Sequence, residues 1–299
     1  MSYVSAEGSA LRSPRPIQVV AHRGASQDAP EHTLAAYRKA IEDGADALEC
    51  DVRLTADGHL VCVHDRRVNR TSNGRGAVSA LELAELAGLD FGSWKDPYEE
   101  PDHDPERDGP GSATDAPDAT GYGEGGDPAE RSAVLTLERL LELVTDAGRP
   151  VELAIETKHP TRWAGQVEER LLETLDRFGL REPADPARSR IRVMSFSARS
   201  LRRVRAAAPG IPTVFLMSYV TPPHRDGKLP PGVGIAAPGI RILRANPGYV
   251  AKLRRSGHQV HVWTVDEPRD VELCVHLGVD AIITNRPKQV LEQLGRVTG

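Results

Sequence analysis

Residues 47–65, ALECDVRLTADGHLVCVHD, set Glu49 and Asp51 two positions apart in an otherwise apolar run and then bring the chain back to His64. Residues two apart in an extended strand share a face, so both carboxylates point the same way. Asp57-Gly58 is a two-residue hairpin signal. A hairpin centred there opposes residues whose numbers sum to 115, which places Asp51 opposite His64. One face then carries Glu49, Asp51, Arg53, Cys62 and His64, and the other Leu48, Cys50, Val52, Leu54, Val61 and Val63.

Three further stretches repeat the pattern. In VELAIETK, Glu156 and Lys158 alternate with Val151, Leu153 and Ile155; VVAHRG ends in His22 and Arg23, with Gly24 free to turn; in HVWTVD, Trp263 shares a face with His261 and Gln259. Three carboxylates without a thiol form a hard oxygen set for one divalent cation, Mg2+ or Ca2+, and select poorly for zinc. Without a cation the three anions repel, which drives at least one towards protonation. His22 and His64 supply a general base and a general acid, and Arg23 and Lys158 hold a phosphate by charge-assisted hydrogen bonds. Trp263 serves as substrate wall or as interior packing. The competing structural reading pairs Glu49 and Asp51 with Arg53 or Lys158 as interior ion pairs. Glu152, near the start of its strand, is read as structural.

These side chains need a frame that gathers strand ends. Short β-branched runs at 17–22, 46–54, 151–157, 190–195, 213–218, 233–237, 259–265 and 280–284 alternate with amphipathic stretches at 31–43, 136–147, 163–178, 197–207, 246–256, 267–277 and 287–294. Glycines 44, 148, 179, 257 and 278 stand where helices should stop. Eight strands alternating with helices predict an α/β fold, a closed TIM (β/α)8 barrel, in which catalytic groups come from the C-terminal strand ends. The expected domain spans 17–295, after a flexible tail at 1–16.

Composition narrows the function. The chain has 299 residues, 39% of them hydrophobic, with mean hydropathy -0.40. No run approaches the roughly 18 apolar residues of a membrane span. The beginning of the chain shows no apolar leader, so a cytoplasmic location is expected. Cys50, Cys62 and Cys274 lack metal-binding or disulfide spacing and are expected to be buried thiols. Residues 96–130 hold 12 acidic residues and one arginine, a net -11 that leaves the rest at +6 against a total of -5. So polar a Pro- and Gly-rich stretch predicts a disordered acidic insertion. The mildly basic remainder suits a small anionic substrate. No basic stripe interleaved with aromatics points to nucleic acid.

The sequence resembles the glycerophosphodiester phosphodiesterase family. AHRGAS, APEHTLAAY, GADALECDVRLTADGHLVCVHD, RTSNGRG, IETK, HVWTVD and LGVDAIITNRP carry the resemblance in order across most of residues 17–290. It implies a TIM barrel of the phosphodiesterase and phosphoinositide phospholipase C-like type. The implied reaction is metal-dependent hydrolysis of glycerophosphodiesters to an alcohol and sn-glycerol 3-phosphate. Glu49, Asp51 and Glu156 are the implied metal ligands, His22 and His64 the acid/base pair, and Arg23 and Lys158 the phosphate ligands. Glu31 matches the acid of the family's Pro-Glu-Asn-Thr motif, close to the metal and the glycerol hydroxyls. His32 stands where that motif has Asn, and Asp266 where the family often has Asn.

Other function classes carry distinct expectations. A glycosidase on the same barrel would use two carboxylates without a metal and gives no reason for paired histidines. A non-catalytic phosphate-binding barrel would not need both His22 and His64. A lysophospholipase D-like enzyme shares the site chemistry and differs in the loops.

Overall fold

The structure, a computed structural model, describes residues 16–95, 127–159 and 165–296. Its strands are β1 (Gln18–His22), β2 (Ala47–Leu54), β3 (Leu60–Cys62), β4 (Glu152–Thr157), β5 (Ile191–Ser195), β6 (Thr213–Met217), β7 (Ile235–Pro238), β8 (Gln259–Val262) and β9 (Ala281–Thr284). All except β3 pair in parallel, and the β1–β2 and β1–β9 pairings close them into an eight-stranded barrel. The register sets His22 beside Glu49 and Asp51 beside Glu156, so three strands present their site residues at one level.

Alternation along each strand divides its residues between two cores. Leu48, Cys50, Val52, Leu153, Ile155 and Val193 point outward against the helices. Val20, Ala47, Ala154, Met194, Val214 and Ile283 fill the interior. On β4 the inward residues are Glu152, Ala154 and Glu156, so the interior runs polar, apolar and polar from one end to the other. Several helices start on side-chain caps: Thr33 accepts from Ala36 N, Thr136 from Arg139 N and Ser197 from Ser200 N. Cys50, Cys62 and Cys274 are free and buried. Among the described residues, no helix is long and apolar enough to cross a membrane.

Three sequence readings change. The hairpin pairs Val52 with Cys62, Arg53 with Val61 and Leu54 with Leu60, a sum of 114 rather than 115. Thr55 N meets His59 O at the other end of its bond, 2.9 Å away, which closes a three-residue loop with Gly58 at φ +86. A one-residue slip turns every side chain over. Leu60 and Cys62 therefore join the outer core with Cys50 and Val52, while Val61 and Val63 pack with Val68, Val78, Leu86 and Phe91 in a satellite cluster. Val63, not His64, lies opposite Asp51, and its N–H donates to Asp51 O at 3.0 Å.

A second difference is the helix Ile240–Ala245, which precedes the expected helix, observed at Tyr249–Arg255. The third concerns only the end of the acidic segment. Residues 1–15 and 96–126 lie outside the described residues. Asp127, however, caps the short helix Pro128–Ser132, and Glu130 pairs at 2.8 Å with Arg38 on the helix Leu34–Glu42. The end of the acidic stretch is thus part of the folded body.

Candidate active site

Site residues come from the C-terminal ends of β1, β2, β4 and β8 and from the loops that follow them. The turn after β1 is made by Gly24, at φ +85, where a Cβ would lie 2.6 Å from the carbonyl carbon of Ala36. Only glycine fits so close an approach in that conformation. Arg23, at φ +60, is itself left-handed, a strained geometry of the kind found at functional sites. Its N–H points at both Glu49 O and Glu49 Oε2, each 3.1 Å away.

Glu49, Asp51 and Glu156 are buried, and one oxygen from each lies within 4.8 Å of the others. Burial, reinforced by Asp51 and Glu156, pushes Glu49 well above the usual carboxylate range. Burial and the Asp51 charge raise Glu156 to about 8. Asp51 goes the other way: against the upward push of burial, Lys158, His32 and Arg23 hold it well below its ordinary value. Lys158 Nζ bridges Asp51 Oδ1 and Glu156 Oε1 at 2.9 Å each, and Arg23 Nε stands 3.2 Å from Asp51 Oδ2. Three buried acids, two of them driven towards protonation by burial and by the charge of Asp51, fit an oxygen-ligated divalent cation. The ion-pair reading of Asp51 with Lys158 also holds, whereas Arg53 instead donates to His64 O at 2.7 and 3.0 Å.

His22 Nε2 lies 4.0 Å from Glu49 Oε2, and His22 Nδ1 lies 2.7 Å from Asn285 Oδ1. Asn285 Nδ2 donates to Asp266 Oδ2 at 2.7 Å, which fixes the amide so that its oxygen faces the imidazole. His22 Nδ1 therefore carries the proton, and Nε2 presents a lone pair to the acids. Burial and the neighbouring Arg23 charge push His22 down to about 3, so it is neutral.

His64 lies in the loop beyond β3 and is half-exposed. Its Nδ1 lies 2.7 Å from Asp65 Oδ1; Asp65 Oδ2 accepts from Arg70 Nε at 2.7 Å. Burial lowers the His64 pKa, with Asp51 opposing the shift. Arg70 grips Glu31 through Nη1 and Nη2 at 2.8 and 2.7 Å, and Arg23 Nη1 donates to Glu31 Oε1 at 2.9 Å. Both Glu31 oxygens are thus engaged by guanidinium groups. A continuous chain of contacts, His64–Asp65–Arg70–Glu31–Arg23–Asp51, rims one side of the site.

His32 is buried between Asp51 Oδ2, 2.9 Å from its Nε2, and the Tyr37 hydroxyl, 2.8 Å from its Nδ1. Trp263 donates its indole N–H to Ala237 O at 2.7 Å and meets Phe196 edge-on at 5.5 Å, leaving only ring surface to offer. Sequence reasoning missed the roles of Asn285, Asp65 and Arg70. All three stood inside the quoted motifs, Asp65 in VCVHD, Arg70 at the head of RTSNGRG and Asn285 in TNRP, but none was given a role.

The glycerophosphoryl diester phosphodiesterase family model matches residues 22–289. A probable glycerophosphodiester phosphodiesterase 1 of Mycobacterium tuberculosis is 45% identical over 285 residues, covering 94% of each chain. A glycerophosphodiester phosphodiesterase of Bacillus subtilis is 32% identical over 283 residues, 93% of this chain and 86% of that one. Among solved structures, an Oleispira antarctica phosphodiesterase in complex with the product sn-glycerol-3-phosphate has the same fold. Its TM-score is 0.74 at 24% identity, covering 93% and 96% of the two chains. With the match spanning nearly the whole barrel, the chain belongs to the glycerophosphoryl diester phosphodiesterase family of enzymes.

Proposed function

We propose that the chain hydrolyses glycerophosphodiesters to an alcohol and sn-glycerol 3-phosphate, using one divalent cation and the histidines His22 and His64. The observation that carries this reading is the convergence of Glu49, Asp51 and Glu156 within 4.8 Å, with His22 Nε2 4.0 Å from Glu49 Oε2. Family membership and the named activities of the relatives support the substrate class.

Glu49, Asp51 and Glu156 would hold the cation, Mg2+ or Ca2+, which supplies neutralising charge for the phosphoryl oxygens and acidifies a nearby hydroxyl. The protein's own groups do the rest. His22, neutral and with Nε2 open, takes the proton of the attacking group, either a water or the substrate's own glycerol hydroxyl; in the second case a water then opens the cyclic phosphate to sn-glycerol 3-phosphate. His64 is less strongly depressed, and Asp65 supports its imidazolium, so it donates a proton to the departing alkoxide. The P–O bond to the alcohol breaks as the new P–O bond forms, and one proton is taken and one given. Lys158 and Arg23 turn their charge to the phosphate once the cation neutralises the carboxylates they now face. Glu31, clasped by Arg23 and Arg70, positions Arg23 and borders the glycerol end. Trp263 walls the pocket with its ring.

A lysophospholipid is the second substrate reading, favoured by Phe196, 43% exposed directly after β5 and in contact with Trp263, which offers an apolar rim. Three free buried cysteines suit a cytoplasmic setting. The test is hydrolysis of glycerophosphocholine, glycerophosphoethanolamine and a lysophospholipid, with EDTA and after restoring Mg2+ or Ca2+. Turnover of the first two, lost with EDTA and regained with either ion, is expected; turnover indifferent to EDTA would overturn the metal assignment.

A further inference from the structure

The barrel has a second polar end. At the N-terminal ends of the strands, opposite the mouth, a cavity of about 720 Å³ is lined by Gln18, Glu152, Arg192, Gln259 and His261 among others. The Arg192 side chain is only 7% exposed, and among the described residues it is hydrogen-bonded to Glu152, with Oε2 2.6 Å from Nη1. Its Nε and Nη2 are buried and meet no hydrogen-bond acceptor among the described residues. Those two nitrogens form one edge of the guanidinium, with parallel N–H bonds aimed the same way. His261 Nδ1 is likewise buried and unpartnered among the described residues. Burial and the Arg192 charge hold His261 well below its ordinary value, so its imidazole is neutral and takes either tautomer according to what faces Nδ1.

A buried guanidinium edge without an acceptor is costly, and that cost falls when an oxyanion fills it. The other acids lining the cavity are already engaged. Asp46 takes both ends of Arg296 at 2.6 and 2.7 Å, and Asp280 accepts from Val260 N at 2.8 Å and faces Arg254 Nη2 at 3.3 Å. A planar carboxylate would spend both oxygens on the arginine edge, whereas a tetrahedral anion keeps further oxygens for the other polar groups lining the cavity, Gln18, Gln259 and His261 among them. We infer that this end of the barrel is a second binding site, for a phosphate-class oxyanion, bidentate on Arg192 Nε and Nη2 and touching His261 Nδ1.

The test reads His261 itself, so that occupancy of the mouth does not interfere. The imidazole resonances of the full-length protein are followed by NMR during titration with inorganic phosphate, with sn-glycerol 3-phosphate, and with acetate and chloride at matched ionic strength. Saturable shifts with phosphate are expected, weakened about tenfold or more in Arg192→Lys, which loses the paired edge, and absent in Arg192→Met. Equal shifts with sn-glycerol 3-phosphate assign the site to phosphomonoesters, and shifts with inorganic phosphate alone assign it to the free ion. Indifference of His261 to both phosphates would overturn the site, as would equal shifts with chloride in the wild type, a comparison that stands even if the variants fail to fold.

Discussion

His64 Nδ1 lies 2.7 Å from Asp65 Oδ1, and the other oxygen of that carboxylate accepts from Arg70 Nε at the same distance. The imidazole is thus fixed in one tautomer with Nε2 free, and the carboxylate favours its protonated form. Asp65→Asn should leave KM nearly unchanged. It should lower kcat about tenfold, the smaller part of the roughly 10²–10⁴ that general acid–base groups contribute, and move the basic limb of the kcat profile to lower pH. Steady-state kinetics across pH checks this; an unmoved basic limb would remove Asp65 from the proton pathway.

His22→Ala and His64→Ala should each cost kcat roughly 10²–10⁴-fold while the far-UV spectrum and Tm stay close to wild type. Activity assays paired with thermal melts test this. Near wild-type turnover in either variant would reassign that histidine.

Metal affinity should rise with pH. Burial and the Asp51 charge raise Glu156 to about 8, and burial with its acidic neighbours raises Glu49, so cation binding must expel protons near neutrality. Without metal, Glu156 is raised above its ordinary 4.5, so the folded chain holds a proton that the unfolded chain releases between about 4.5 and 8. The metal-free fold therefore loses stability as pH climbs through that window. Calorimetry in buffers of different ionisation enthalpy should show proton release at pH 7 that shrinks by pH 9, and Glu49→Gln should weaken Mg2+ binding before it affects the fold.

Glu31 behaves in the opposite sense. Burial alone would raise its pKa, but hydrogen bonds from Arg70 and the charge of Arg23 hold it at about 2. A carboxyl depressed in the native state contributes stability above its unfolded value near 4.5, lost as pH falls towards 2. Arg70→Ala should shift acid unfolding to higher pH, followed by circular dichroism from pH 5 to 2. An unchanged midpoint would show that Arg23 alone suffices to hold Glu31.

Gly24→Ala should destabilise by roughly 2–4 kcal/mol, since it combines a strained φ with a backbone collision at Ala36. Because the same turn carries His22 and Arg23, turnover should fall with it. Chemical denaturation and kinetics on one preparation would separate the two losses.

The barrel and the carboxylates were legible because both rest on local alternation: Glu49 and Asp51 on β2, and Glu156 on β4, each face away from an apolar row. The hairpin register was not. Asp57-Gly58 serves two-residue and three-residue loops alike, and the choice turned on the Thr55 to His59 bond, which composition does not announce. The contact chain through Arg70 was illegible for another reason: residues 39 positions apart meet only after the chain folds back through the turn Val68–Arg70. The helix Ile240–Ala245 is too short for its periodicity to stand out. Glu152, read as structural from its place near the strand's beginning, does pair with Arg192.

Between the two polar ends lies a plug of Val20, Ala47, Ala154, Met194, Val214 and Ile283, most of it wholly shielded from solvent. This apolar layer stands between the carboxylates at one end and the Glu152–Arg192 pair at the other. Solutes reach each chamber from its own side of the molecule, and substitutions in one leave the field within the other largely undisturbed. One closed sheet thus houses two compartments that evolution is able to tune apart.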